Sequence, residues 1–208
     1  TGSGEARRPI GRKWKMPDTN NKILYGIEKC YISKITEADG EITYGKPFQV
    51  KGARGLNMDP QGETTKIYAD NVVYYIANSN QGYEGDLVLL ITPEEFLTQI
   101  LGQTKDTNGA IFENADDKQA RFALMFEGKG DEKARRWVFF DCTATRPSRE
   151  NNTQEETLEA GEETMTITMS PRSTDKAIKA YIEPNETNQD VYDTFFTKVY
   201  EKNATAGV

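Results

Sequence analysis

The sequence predicts a mainly β fold carrying a short α-helix at about 93–101 and a C-terminal helix at about 190–200. Two patterns lead there. Apolar residues recur at every second position in short segments bounded by Gly, Asn and Asp, which is the strand period. Only twice does the spacing change to the three-and-four step of an amphipathic helix. At 208 residues, 36% of them hydrophobic, the chain has the length of one ordinary domain with a full core.

The first fifteen residues, TGSGEARRPIGRKWK, are basic and poor in core formers. They are expected to be an appended expression leader ahead of Met16, or else a disordered arm. Residues 16–208 are then expected to form a single domain. Lys29 to Ile35 and Ile42 to Val50 read as strands around Glu37-Ala38-Asp39-Gly40, because Asp-Gly between two such runs favours a hairpin. Ala53 to Asp59, Thr64 to Ala69 and Val72 to Ala77 follow, with Asp70-Asn71 as a turn. Gly85 to Ile91 ends in five apolar residues and is expected to be buried on both faces.

Thr92-Pro93-Glu94-Glu95 reads as an N-cap, a proline at the first helical position and a capping-box glutamate. Phe96, Leu97, Ile100 and Leu101 make a one-sided stripe that should lie against a sheet, and Gly102 closes the helix. Phe122, Leu124 and Phe126 alternate, and Arg136 to Ala144 forms the next strand across Gly128-Lys129-Gly130-Asp131. Residues 149–163 are acidic and read as an exposed loop. Met165, Ile167 and Met169 alternate with Thr164, Thr166 and Thr168, the cleanest period of two in the chain. At the end, Val191, Phe195 and Val199 fall on one helical face.

Charge and chemistry exclude several classes. Residues 1–15 carry five cations against the one acid Glu5, a net of +4, so the total of −7 leaves −11 for residues 16–208. Such a body repels nucleic-acid backbones. The basic residues Lys133, Arg135, Arg136, Arg146 and Arg149 read as a solvated strand edge or subunit contact rather than a nucleic-acid patch. Neither apolar run approaches the ~20 residues of a membrane helix, so no membrane partner is expected. Cys30 and Cys142 are 112 positions apart and read as buried small hydrophobes in a reducing setting. The absence of histidine removes the commonest general base and metal ligand.

No catalytic, metal or cofactor site is expected. Glu94-Glu95 suits the positive end of a helix dipole, and Asp116-Asp117 lies in a polar loop. Asp106-Thr107-Asn108-Gly109 departs from the calcium-loop spacing and reads as a turn. Gly52, Gly55, Gly62, Gly82 and Gly85 make no phosphate-cradling pattern. An enzyme using a carboxylate pair remains conceivable, but no acid pair converges.

Several segments in order resemble the major tail proteins of long-tailed phages of Gram-positive bacteria, the phi13-type family. They are YGIEKCYISKIT (25–36), MDPQGETTKIYADNVVYY (58–75), NSNQGYEGDLVLLITPEEFLTQILG (78–102), NGAIFENAD (108–116), RRWVFFDCTATRPS (135–148) and EETMTITMSPR (162–172). The resemblance runs from about residue 22 to residue 200 and rests on the collinear set, no single motif being diagnostic. It implies a tail-tube subunit of two packed antiparallel sheets, sandwich or barrel, with a flanking helix. It further implies six-membered rings, stacked into a tube in the virion tail, whose bore conducts DNA. Assembly in the host cytoplasm and contacts with tape-measure and tail-terminator proteins follow from the same resemblance.

Within that frame Glu41, Asp59, Glu63, Glu84, Asp86 and Glu127 are the candidate bore-lining acids, being on or beside expected strands. Ring-to-ring contacts are expected between Gly52 and Gly85, with Gln61, Gly62, Thr64, Thr65, Tyr68, Asn71 and Tyr83 as candidates. The alternative from another class is a surface-binding adhesin or decoration module of a virion, with Tyr31, Tyr83 or Tyr181 as a sugar platform.

Overall fold

Alternation decides the architecture, because a strand that buries every second side chain must find a second layer to bury them against. The structure is a computed structural model, and it describes residues 26–128, 130, 134–150 and 161–203. The N-terminal arm and residues 151–160 of the acidic loop lie outside the described residues. Eleven of the described strands join in one antiparallel sheet. Its path starts with β2 (Glu41–Tyr44), β1 (Ile27–Ala38), β11 (Phe122–Gly128) and β12 (Arg136–Ala144). It continues through β14 (Glu162–Met169) and β8 (Gly82–Leu89) to β4 (Ala53–Leu56). Four short strands attach to this path: β3 (Phe48–Gln49) to β1, β5 (Asp59–Gln61) to β8, β13 (Ser148–Glu150) to β14, and β15 (Lys179–Ile182) to β12.

The sheet turns at β12, whose first half pairs with β15 and whose last residues pair with β14. Its two halves therefore act as the two packed layers, and the barrel remains open. Between them Ile32, Leu124, Phe139, Leu87 and Ile167 join one buried cluster. The helix α1 (Glu94–Gln99) packs into it through Phe96, Ile100 and Leu101, with Phe96 edge-on to Phe122 at 5.9 Å. Gly102, at φ +79, ends that stretch as expected.

The capping box does not form. Pro93 takes the N-cap position with no side-chain cap. Thr92 precedes the proline, where helical backbone is disfavoured, and its backbone N–H donates to Glu163 Oε2 at 2.7 Å. Glu163 is thus buried in β14 rather than exposed in a loop, and Arg149 donates to its other oxygen at 2.8 Å. Burial pushes this carboxyl up, but the bonds from Thr92 and Arg149 outweigh it and hold it below the usual range. A depressed carboxyl stabilises the fold above its unfolded pKa, and that contribution disappears as pH falls through the folded one. Glu163→Gln should therefore cost about 1–2 kcal/mol near pH 7. In urea melts the gap to the parent should close in acid; a constant gap would reject the electrostatic account.

On the opposite face of β11 and β12, Ala123, Met125, Val138 and Phe140 form a second cluster, covered by Phe195 and Val199. The C-terminal helix that delivers them, α2 (Gln189–Asp193), is shorter than its apolar spacing implies. Thr194 and Thr197 turn their hydroxyls onto Asp190 and Thr194 carbonyls, a local bond that competes with helix continuation. Arg172 fastens this segment, donating to Asp175 at 2.6 and 2.8 Å and to Glu201 at 2.9 Å while lying over the Phe140 ring.

The fate of β8 differs from expectation. Gly85, Leu87 and Leu89 are buried, whereas Asp86 and Val88 are half-buried and Leu90 and Ile91 are exposed. It is a strand covered on one face only. The cysteines do sit in the core, where burial pushes the Cys30 thiol up to about 12 and Cys142 higher still.

Candidate assembly surfaces

Residues directly opposite on neighbouring strands share a face. In β5, β8 and β14 this places Asp59, Glu84 and Thr168 in one row, because Asp59 pairs with Glu84 and Glu84 with Thr168. Asp86 and Thr166 form the next row, joined by a 2.9 Å bond from the Thr166 hydroxyl to the carboxylate. Leu87, Met165, Ile167 and Met169 point the other way, into the core. The result is an open face of carboxylates and threonines. Asp59 and Glu84 are both exposed, and among the described residues neither they nor Asp86 has an ion-pair partner. Like charges facing each other across a ladder weaken it.

The other three candidate acids stand elsewhere. Glu63 is exposed in the connection after β5, at the root of a hairpin, where its backbone exchanges bonds with Ser79. Glu41 opens β2, across from Ala38 in the first hairpin, whose Asp39-Gly40 turn has both φ angles positive as its residues require. Glu127 lies apart from the open face. It is buried, 8% exposed, and accepts from Lys29 at 2.9 Å and Arg136 at 2.9 Å, so its single charge is shared by two cations of its own subunit.

The second surface is a ribbon. β6 (Thr64–Ala69) and β7 (Val72–Asn78) pair only with each other, as a separate two-stranded sheet. Asp70 and Asn71, at φ +51 and +62, make the tight turn between them. Candidate contacts Thr64, Thr65, Tyr68 and Asn71 lie on this ribbon, with Gln61 and Gly62 at its root. Ile67, Val72, Val73, Tyr74, Tyr75 and Ile76 are exposed on it too, and the contact candidates omitted them. Their signal in the sequence was the unbroken apolar run Val72 to Ala77.

Tyr83 does not belong to this surface. It packs against the core edge-on to Phe139, under the Lys179 ammonium at 4.3 Å, in a cleft of about 430 Å³ lined also by Leu56, Met58 and Trp137. Of the sugar-platform tyrosines, Tyr83 lies under Lys179, which also stands 5.6 Å from the Trp137 ring that Tyr181 packs against. Tyr31 stacks on Phe196 and Tyr181 tilts over Trp137.

The basic residues each reach an acid: Arg136 reaches Glu127, Arg146 Glu113, Arg149 Glu163 and Arg135 Glu183. Lys133 lies outside the described residues. Glu94 pairs with Lys105, and Asp106 accepts the N–H groups of Asn108 and Ala110 as an ordinary turn residue. Among the described residues no group of three or more His, Cys, Asp or Glu is gathered to hold a metal ion.

A family model described as phage tail tube protein matches residues 14–208. The chain belongs to the phage tail tube protein family. It is therefore a structural component of a phage tail, and the two surfaces above are those of a tail tube protein. No curated protein matches it in sequence. Among solved structures it is similar to the anti-feeding prophage cap, the tube terminating cap, at 10% identity and TM-score 0.43, covering 82% of this chain and 99% of that one. It is similar also to a chain of the PVC sheath-tube complex of an extracellular contractile injection system in the extended state, at 6% identity and TM-score 0.45. That match covers 85% of this chain and 100% of the other. A chain of the anti-feeding prophage baseplate aligns at 7% identity and TM-score 0.40, over 79% of this chain and 97% of that one.

Proposed function

We propose that six copies of this chain close into a ring, that rings stack head to tail into a tube, and that DNA passes through the bore. The observation that supports a DNA-conducting bore is the open face of β5, β8 and β14. An exposed Asp59–Glu84 pair without a cation weakens an isolated subunit. In a bore it gives DNA a wall that repels its phosphates, with the Arg54 cation on that face already paired to Glu162. Asp59, Glu84 and Asp86 are the bore-lining residues of this reading, with Glu63 toward one rim. A ring that closes uses one heterologous contact, and stacking uses a second that stays open. Gln61, Gly62, Thr64, Thr65, Tyr68 and Asn71 supply the second through the ribbon. Assembly takes place in the host cytoplasm, and tape-measure and terminator proteins set where the tube stops.

The test is negative-stain microscopy of concentrated protein from residue 16 onward, with Glu84→Cys as the probe of the bore. Tubes with six-fold end views are expected. Because Cys30 and Cys142 are buried, the introduced thiol reports alone. In tubes it should react with a small maleimide and resist a polymer-linked maleimide too large to enter. Equal labelling by both would place residue 84 on the outside and reject the bore assignment.

A further inference from the structure

The larger core cluster is not filled to its end. Protein interiors leave few gaps wider than a water molecule, yet the cleft in which Tyr83 sits measures about 430 Å³. Its walls are the half-buried Ile27, Leu56, Met58 and Trp137 and the buried Phe126 and Phe139, all of them in that cluster or packed against it. Water in such a place finds few hydrogen-bond partners. Gly26 and Gly55 line the cleft as well, and a Cβ at either would meet nothing within 4 Å. The space stays open because two positions on its wall carry no side chain.

One charge faces this apolar space. Lys179 of β15 lines the cleft, its ammonium 4.3 Å from the centre of the Tyr83 ring, 5.6 Å from Trp137 and 6.0 Å from Phe139. Among the described residues no carboxylate pairs with it, and no acid lines the cleft. The chain has 33 acids against 26 Lys and Arg, so a cation without an acid is not a matter of supply. Ring faces alone hold this one at the mouth of an apolar pocket.

We propose that the cleft binds a single-chain aliphatic carboxylate of medium length, its chain among Leu56, Met58, Trp137 and Phe139 and its head group on Lys179. The site is independent of the tube reading. Size suits such a ligand, since 430 Å³ falls in the lower part of the range of small-molecule pockets. Charge selects the head: one ammonium and no acid favour a single negative charge and repel a cation. A nucleotide or phosphorylated ligand would need more donors than one lysine offers. The lining selects the body, because aliphatic and aromatic walls favour a chain that needs no hydrogen bonds of its own. Met58 lets the wall adapt to it.

Dodecanoate, kept below its micelle concentration, is the probe, and the full chain is the protein. Trp14→Phe leaves Trp137 as the only tryptophan, since the chain has two. Dodecanoate carrying bromine at its chain end should then quench Trp137 saturably, at about one ligand per chain. Lys179→Gln should weaken binding roughly tenfold, and so should the change of probe to dodecyltrimethylammonium, the same chain with a cationic head. Gly55→Leu puts a side chain into the cleft and should abolish binding. No saturable quenching, quenching that neither variant alters, or equal binding of the two head groups overturns the proposal. Quenching that appears only once residues 1–25 are removed makes the chain's own N-terminal segment the occupant. Quenching of dispersed subunits that disappears in polymer makes a second copy the occupant, and either result overturns the carboxylate.

Discussion

Excising Thr64–Asn78 in favour of a Gly-Gly link leaves a subunit that folds but no longer polymerises. The ribbon supplies no residue to either buried cluster, and its strands pair only with each other. Below its root β5 and β8 remain laddered, with Asp59 opposite Glu84 and Gln61 opposite Gly82. A two-residue link closes an antiparallel pair of that kind without strain. The melting temperature should stay within about 2 °C of the parent, since a solvent-facing ribbon contributes little to the folding free energy. Polymer should vanish, because seven exposed apolar side chains leave together with the contact. Sedimentation and thermal melts read the two quantities separately. Normal tubes would remove the ribbon from assembly; loss of the fold would mean that it props the subunit itself.

The same ribbon shows where the sequence was legible and where it stopped. Alternation in Met165, Ile167 and Met169 identified a buried strand face correctly, since period and burial are both properties of one strand. Asp39-Gly40 and Asp70-Asn71 identified turns for the same local reason. A continuous apolar run is different. It says that both faces will be covered, not by whom. In β11, Ala123 and Met125 are covered by Phe195 and Val199 of the same chain. In β7 the equivalent side chains are left to water within the subunit, so the run Val72 to Ala77 marks an exposed ribbon that only the structure separates from core. Among the acids, Asp59, Glu84 and Asp86 share a face because strand parity puts them there. Glu127 has the same composition-level credentials, and its pairing with Lys29 and Arg136 depends on β1, β11 and β12 meeting.

A single methyl group added at Gly85 should do more damage than truncating most core residues by one methylene. Gly85 lies where the link between β4 and β5 crosses β8, and a Cβ there would stand 2.0 Å from the Asn57 carbonyl oxygen and 3.0 Å from the Met58 Cα. These are backbone atoms, which cannot swing aside as a side chain would. They are also tied in place: the Asn57 N–H donates to the Asp86 carbonyl at 3.1 Å, and the Asp86 N–H donates to the Asn57 side chain. Gly85→Ala must push the link away and break one or both bonds. The cost should be about 3 kcal/mol, the upper part of the overpacking range, seen as a fall of about 6–12 °C in Tm. Because the displaced link leads straight into β5, the Asp59–Glu84 row and the ribbon's root move with it, and assembly should weaken in parallel. Gly55→Ala is the matched control, since a Cβ at that neighbouring position meets nothing within 4 Å. It should melt within about 1 kcal/mol of the parent and polymerise normally. Equal melting of the two variants would mean that the crossing gives way easily, and that the position of β5 does not depend on the absence of a side chain at residue 85.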